Sequence, residues 1–147
     1  MINATDARSI TDMTIRTEWL DLEAKRVIIL EFTGDWDLSD YDTAIEHSIQ
    51  LLNEVKHPVA MVIDLSQSEG PSRSADVFKK WQEAIARWRE TDNYADFWVS
   101  VEPNYWEYFL IWLLSRIYNP TSMEVVKNSQ EAYQHAIKIL DKLAETS

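Results

Sequence analysis

The chain has 147 residues, 46% of them apolar, which suffices for one domain with a substantial core and argues against disorder. Its 25 acidic against 14 basic residues leave a net charge of -11, and no run of Lys and Arg exceeds two, so nucleic acid and anionic lipid are not expected partners. The absence of cysteine excludes disulfides, thiolate chemistry and cysteine-based zinc sites, and two glycines are too few for a phosphate-cradling Gly-rich loop.

Residues 1–13 are polar and read as a flexible N-terminus without the basic and apolar regions of a signal peptide; residues 14–147 then form the single domain. Thr14 to Leu20 alternates, with Ile15, Thr17 and Trp19 on one side, and predicts a half-buried strand. Asp21 to Lys25 is the turn, and Val27 to Phe32 pairs back as a hairpin that ends at Gly34-Asp35-Trp36-Asp37. Leu38 to Val55 is helical, with Leu38, Tyr41, Ile45, Ile49 and Leu52 in one apolar stripe and Asp37 or Ser39 as cap.

The unbroken apolar run Val59 to Ile63, ending in Asp64-Leu65-Ser66, is a strand buried on both faces, as in a parallel sheet. A loop containing Gly70-Pro71 follows, and a helix opens near Ser74 and runs to Arg89 with Val77, Trp81, Ile85 and Trp88 inward. Phe97 to Val101 is a short strand. Pro103 opens a third helix that runs to Tyr118, where Asn119-Pro120 stops it. Met123 to Val126 is the last strand. Ser129 caps a final helix with Ala132, Tyr133, Ala136, Ile137, Leu140 and Leu143 buried. The order β-β-α-β-α-β-α-β-α predicts an α/β domain: a mixed, mostly parallel five-stranded sheet with four helices and right-handed crossovers.

Four stretches resemble the SpoIIAA-like superfamily, which includes the STAS domain. They are the hairpin into Gly34-Asp35-Trp36, the helix Ala44 to Val55, the strand Pro58 to Ser66, and the closing Val125-Val126-Lys127-Asn128-Ser129-Gln130-Glu131-Ala132. The likeness covers residues 14 to 143 and is strongest to small stand-alone bacterial members, for which it implies no enzymatic activity. Regulatory STAS domains carry an Asp-Ser-Ser-Gly-type turn with a phosphorylatable serine. Here the matching segment, Ser66 to Ser74, lacks that string, so no phosphosite is carried over.

Two groups of residues are candidate sites. Asp64, Ser66, Ser68, Ser72, Arg73 and Ser74 lie where a strand feeds a helix, the place open α/β sheets put recognition groups. The plainer role for Ser72 or Ser74 is to cap the helix, and Asp64 is either a general base or a partner of loop N–H groups. Eleven of the 14 residues from Tyr105 to Tyr118 are apolar, so that helix needs cover on more than one side. Trp98, Tyr105, Trp106, Tyr108, Phe109 and Trp112 are therefore candidates for a subunit interface or an apolar pocket. His47, His57 and His135 have no metal-ligand spacing, and no catalytic triad or carboxylate pair follows from the sequence. The expectation is a cytoplasmic, non-enzymatic, STAS-like regulatory or protein-interaction module. It would act as a homodimer, with no cofactor, metal, nucleic acid or membrane partner. The alternative is a carrier or sensor of a small apolar ligand held among the aromatic residues of the 97–118 region.

Overall fold

The computed structural model describes residues 14–70 and 75–145. Among them the elements run β1 (Ile15–Trp19), β2 (Val27–Gly34), α1 (Leu38–Leu52), β3 (Val59–Ser68), α2 (Ala75–Arg89), β4 (Tyr94–Val101), α3 (Tyr105–Tyr118), β5 (Met123–Val126) and α4 (Ser129–Glu145). The five strands form one sheet in the order β1-β2-β3-β4-β5. β1 is antiparallel to β2 and the remaining neighbours are parallel, so the expected mixed, mostly parallel α/β fold is the one adopted.

The hairpin turn is fixed by Asp21, whose Oδ1 accepts from the backbone N–H groups of Arg26 and Val27, each at 3.0 Å. Beyond it, each parallel crossover moves the chain one strand further in the same direction. Crossovers of one hand in one direction must all lie on one face of the sheet. Hence α1, α2 and α3 share a face, where Tyr41, Ile45, Ile85, Trp88 and Leu114 pack with Ile28, Leu30, Met61 and Ile63. The last helix, α4, crosses to no further strand. It covers the other face, setting Ala132, Ala136 and Leu140 against Val62, Phe97 and Val99. The two central strands β2 and β3 are thus apolar on both sides, which is why their sequences run without alternation.

Several boundaries differ from the sequence expectation. The expected loop residues Ser66, Gln67 and Ser68 belong to β3, because β2 continues past an irregularity after Glu31 and offers Thr33 and Gly34 as partners to Gln67 and Ser68. β4 begins at Tyr94 rather than Phe97. Asp96, a poor strand former, is tolerated there because Arg89 grips its carboxylate with two N–H donors at 3.2 and 2.8 Å. Asn104, not Pro103, starts α3 through a reciprocal box with Glu107, and the Asn128 side chain accepts from the Glu131 N–H at the start of α4. The expectations for residues 1–13 and for Ser72, Arg73 and Ser74 lie outside the described residues.

Candidate functional site

The three helices on the shared face do not cover it equally. α1 buries Tyr41, Ala44, Ile45, Ser48, Leu51 and Leu52, whereas α3 buries only Leu110 and Leu114. Beneath α3 the sheet presents large aromatic side chains on β4 beside the aliphatic Ile63 and Leu65 of β3. On β4 the alternation sends Ala95, Phe97, Val99 and Val101 toward α4, and Tyr94, Trp98 and Ser100 toward α3. Large side chains on the strand hold the helix off, and a pocket of about 100 Å³ remains between them. Five of the seven tryptophans line it: Trp36, Trp81, Trp88, Trp98 and Trp106.

Three of these rings are tied by their indole N–H groups. Trp36 donates to Ser68 Oγ at 2.8 Å, Trp88 to Ser48 Oγ at 2.9 Å, and Trp98 to the Tyr94 hydroxyl at 3.1 Å. Each indole keeps its polar edge satisfied and leaves ring surface for the pocket. Behind the wall, Phe32 packs on Trp36 and Trp81 with ring centroids 4.9 and 5.7 Å away. Burial holds the Tyr94 hydroxyl well above its ordinary pKa, with the nearby Asp96 charge adding to the effect, so Tyr94 serves as a neutral partner.

The rim is polar. Glu69, Gly70, Asn104 and Glu107 stand there, with Ser100 on the sheet side. The Glu69 N–H donates to the Gly34 carbonyl at 2.9 Å. Gly70 lies against the turn after β2, where an added Cβ would meet Asp35 Oδ1 at 2.5 Å and make ordinary 3.4 Å contacts with the Asp35 and Trp36 backbone, so a larger residue would require only the Asp35 side chain to turn aside. Glu107 Oε1 accepts from the Asn104 N–H at 2.9 Å; the Ser68 hydroxyl, which donates to the Gly70 carbonyl at 3.1 Å, stands close enough to this carboxylate to favour its charged form. Ser68 therefore joins the end of β3, the Trp36 ring and the start of α3.

Burial raises the Glu107 carboxyl above its ordinary pKa of 4.5, against the opposing pull of the Asn104 N–H and the Ser68 hydroxyl. A carboxyl raised in this way binds its proton more tightly in the folded chain than in the unfolded one. Its contribution to stability is full below the unfolded value and is lost as pH rises through the folded value. Urea denaturation of the native chain and Glu107→Gln should therefore show the native chain gaining relative stability as pH falls from about 7 toward 4.5. An unchanged difference would mean that the carboxylate is fully hydrated.

The structure divides the aromatic candidates of the sequence. Trp98 and Trp106 line the pocket, whereas Tyr105, Tyr108, Phe109 and Trp112 are exposed on the outer side of α3. The two sets touch, because Phe109 stacks between Trp106 at 5.8 Å and Trp112 at 6.3 Å. Of the recognition-loop candidates, Asp64 is buried, and its Oδ1 accepts from the Ser66 N–H at 3.0 Å and the Ser66 hydroxyl at 2.7 Å. Ser66 and Ser68 are half-buried strand residues rather than exposed loop, for the pairing reason given above. Trp36, Trp81 and Trp88 were not among the sequence candidates. Trp81 and Trp88 read as the inward stripe of a helix and Trp36 as part of a turn, and only the strand order brings them together. Among the described residues no group of three or more His, Asp or Glu could hold a metal ion, and no helix is long and apolar enough to cross a membrane.

Comparison with protein-family models, with curated proteins and with solved structures found no match in any of the three.

Proposed function

We propose that this chain is a non-enzymatic binding protein that carries or senses one small, largely apolar molecule beneath α3. The observation that carries this reading is the tryptophan-lined space itself. Protein interiors are close-packed, and ligand sites are the usual exception: concave, apolar, with a few placed polar groups. A volume of about 100 Å³, two thirds of a known apolar cavity of ~150 Å³ that binds benzene, suits a ligand group of about four heavy atoms, with the rest of the molecule at the polar mouth. The polar groups at hand, Glu69, Ser100, Asn104 and Glu107, suit orienting such a ligand.

A second reading has its own observation. Tyr105 is almost fully exposed, and Tyr108, Phe109 and Trp112 are each nearly half exposed along one stripe of α3. Aromatic stripes of this kind anchor protein interfaces. They favour a regulatory interaction module of the SpoIIAA-like, STAS-like kind, acting as a homodimer. The readings are compatible, since the Trp106–Phe109 stack would pass a ligand's presence to the outer stripe. Native mass spectrometry of freshly purified protein tests both. A co-purifying small mass supports the carrier, and a clean dimer without added mass supports the interaction module. A bare monomer at tens of micromolar, unchanged by added small apolar compounds, would contradict both.

A further inference from the structure

We propose that the pocket's ligand is an organic cation: a protonated amine or quaternary ammonium group carried on a small apolar body. The inference rests on the pocket being a ligand site and specifies the chemistry that site selects.

Charge complementarity comes first. Two carboxylates, Glu69 and Glu107, line the pocket, and among the described residues no Lys, Arg or His does. On α2, whose Val77, Trp81, Ile85 and Trp88 line the pocket, Lys80 pairs with Asp42 at 2.9 Å, Arg87 with Glu46 at 2.7 Å and Arg89 with Asp96 at 2.8 Å. Among the described residues no cation pairs with Glu107, whose carboxylate accepts from the Asn104 backbone N–H. A ligand closing the pocket strips further water from this carboxylate. A neutral ligand leaves that loss uncompensated, an anion worsens it, and a cation offsets it.

The walls agree with the rim. Indole faces attract cations more strongly than other aromatic side chains do, and the attraction grows when water is excluded. Trp36, Trp98 and Trp106 share the pocket with Glu107, so a cation there meets ring surface and carboxylate together. The net charge of -11 also raises the local concentration of any cation.

The test compares choline with its neutral carbon isostere, 3,3-dimethylbutan-1-ol, by calorimetry and tryptophan fluorescence on the full chain. Choline is expected to bind about tenfold or more tightly than the isostere. Glu107→Gln, in which glutamine keeps the helix-capping geometry, should reduce that ratio several-fold, weakening choline while relieving the isostere of an uncompensated buried carboxylate. Glu69→Gln, at the more exposed rim, should reduce it less. If the isostere binds as tightly as choline, the cation assignment is overturned while the pocket remains a ligand site. If neither binds at millimolar concentration, the ligand-site reading fails and the assignment fails with it.

Discussion

Replacing Phe32 by alanine is expected to cost about 3–5 kcal/mol of folding stability. Phe32 is fully buried on β2, and its ring contacts Trp36, Tyr41 and Trp81. Its removal loses the transfer free energy of the ring and leaves a cavity among large, rigid neighbours that cannot collapse into it. A domain of this size has about 5–15 kcal/mol in total, so the loss shows plainly as a lower denaturation midpoint with unchanged slope. Ile63→Ala provides the contrast. Ile63 already borders the open pocket, so truncation enlarges an existing space and should sit near the ~2 kcal/mol floor for such changes. Equal losses at the two positions would mean that the pocket is filled by its own walls in solution.

Ser48→Ala should cost about 1–3 kcal/mol although it removes a single oxygen. Ser48 is fully buried on α1; its hydroxyl donates to the Ile45 carbonyl at 2.6 Å and accepts from Trp88 Nε1 at 2.9 Å. Alanine leaves the indole N–H buried without an acceptor, and that unmet donor is the larger part of the cost. Trp88→Phe in the Ser48→Ala background removes the stranded donor, so the double variant should lose less than the sum of the two single changes. Additive losses would show that the bond contributes nothing. If the bond orients the ring, Ser48→Ala also loosens a pocket wall and should weaken ligand binding without touching the ligand.

The elements were legible because their periodicities are strong and their punctuation sparse. The run Val59 to Ile63 and the stripe of α1 leave few alternatives, and the strand Met123–Val126 falls where expected. The ends were less legible where a tertiary partner decides them. Nothing local to Ser66–Ser68 announces a strand, since the partner is the tail of β2. Nothing local to Asp96 does either, since Arg89 answers its charge. The pocket was the least legible part. The five tryptophans are spread from Trp36 to Trp106; Trp36 reads as part of a turn, and Trp81 and Trp88 read as the inward stripe of a helix. Their convergence follows from consecutive strands lying side by side with the crossovers on one face. The half of the site that sequence does suggest, the apolar helix Tyr105–Tyr118, proves to be two surfaces back to back.

The most direct measurement is the fluorine NMR spectrum of protein labelled with 5-fluorotryptophan, each resonance assigned by single Trp→Phe variants and titrated with choline and then with 3,3-dimethylbutan-1-ol. Trp36, Trp81, Trp88, Trp98 and Trp106 line the pocket, and Trp19 and Trp112 do not. The pocket account predicts that the first five resonances move together along one binding curve, that Trp112, reached only through the Phe109 stack, shifts less than they do, and that Trp19 stays in place. Movement led by Trp112, or no movement with either compound at millimolar concentration, would contradict it.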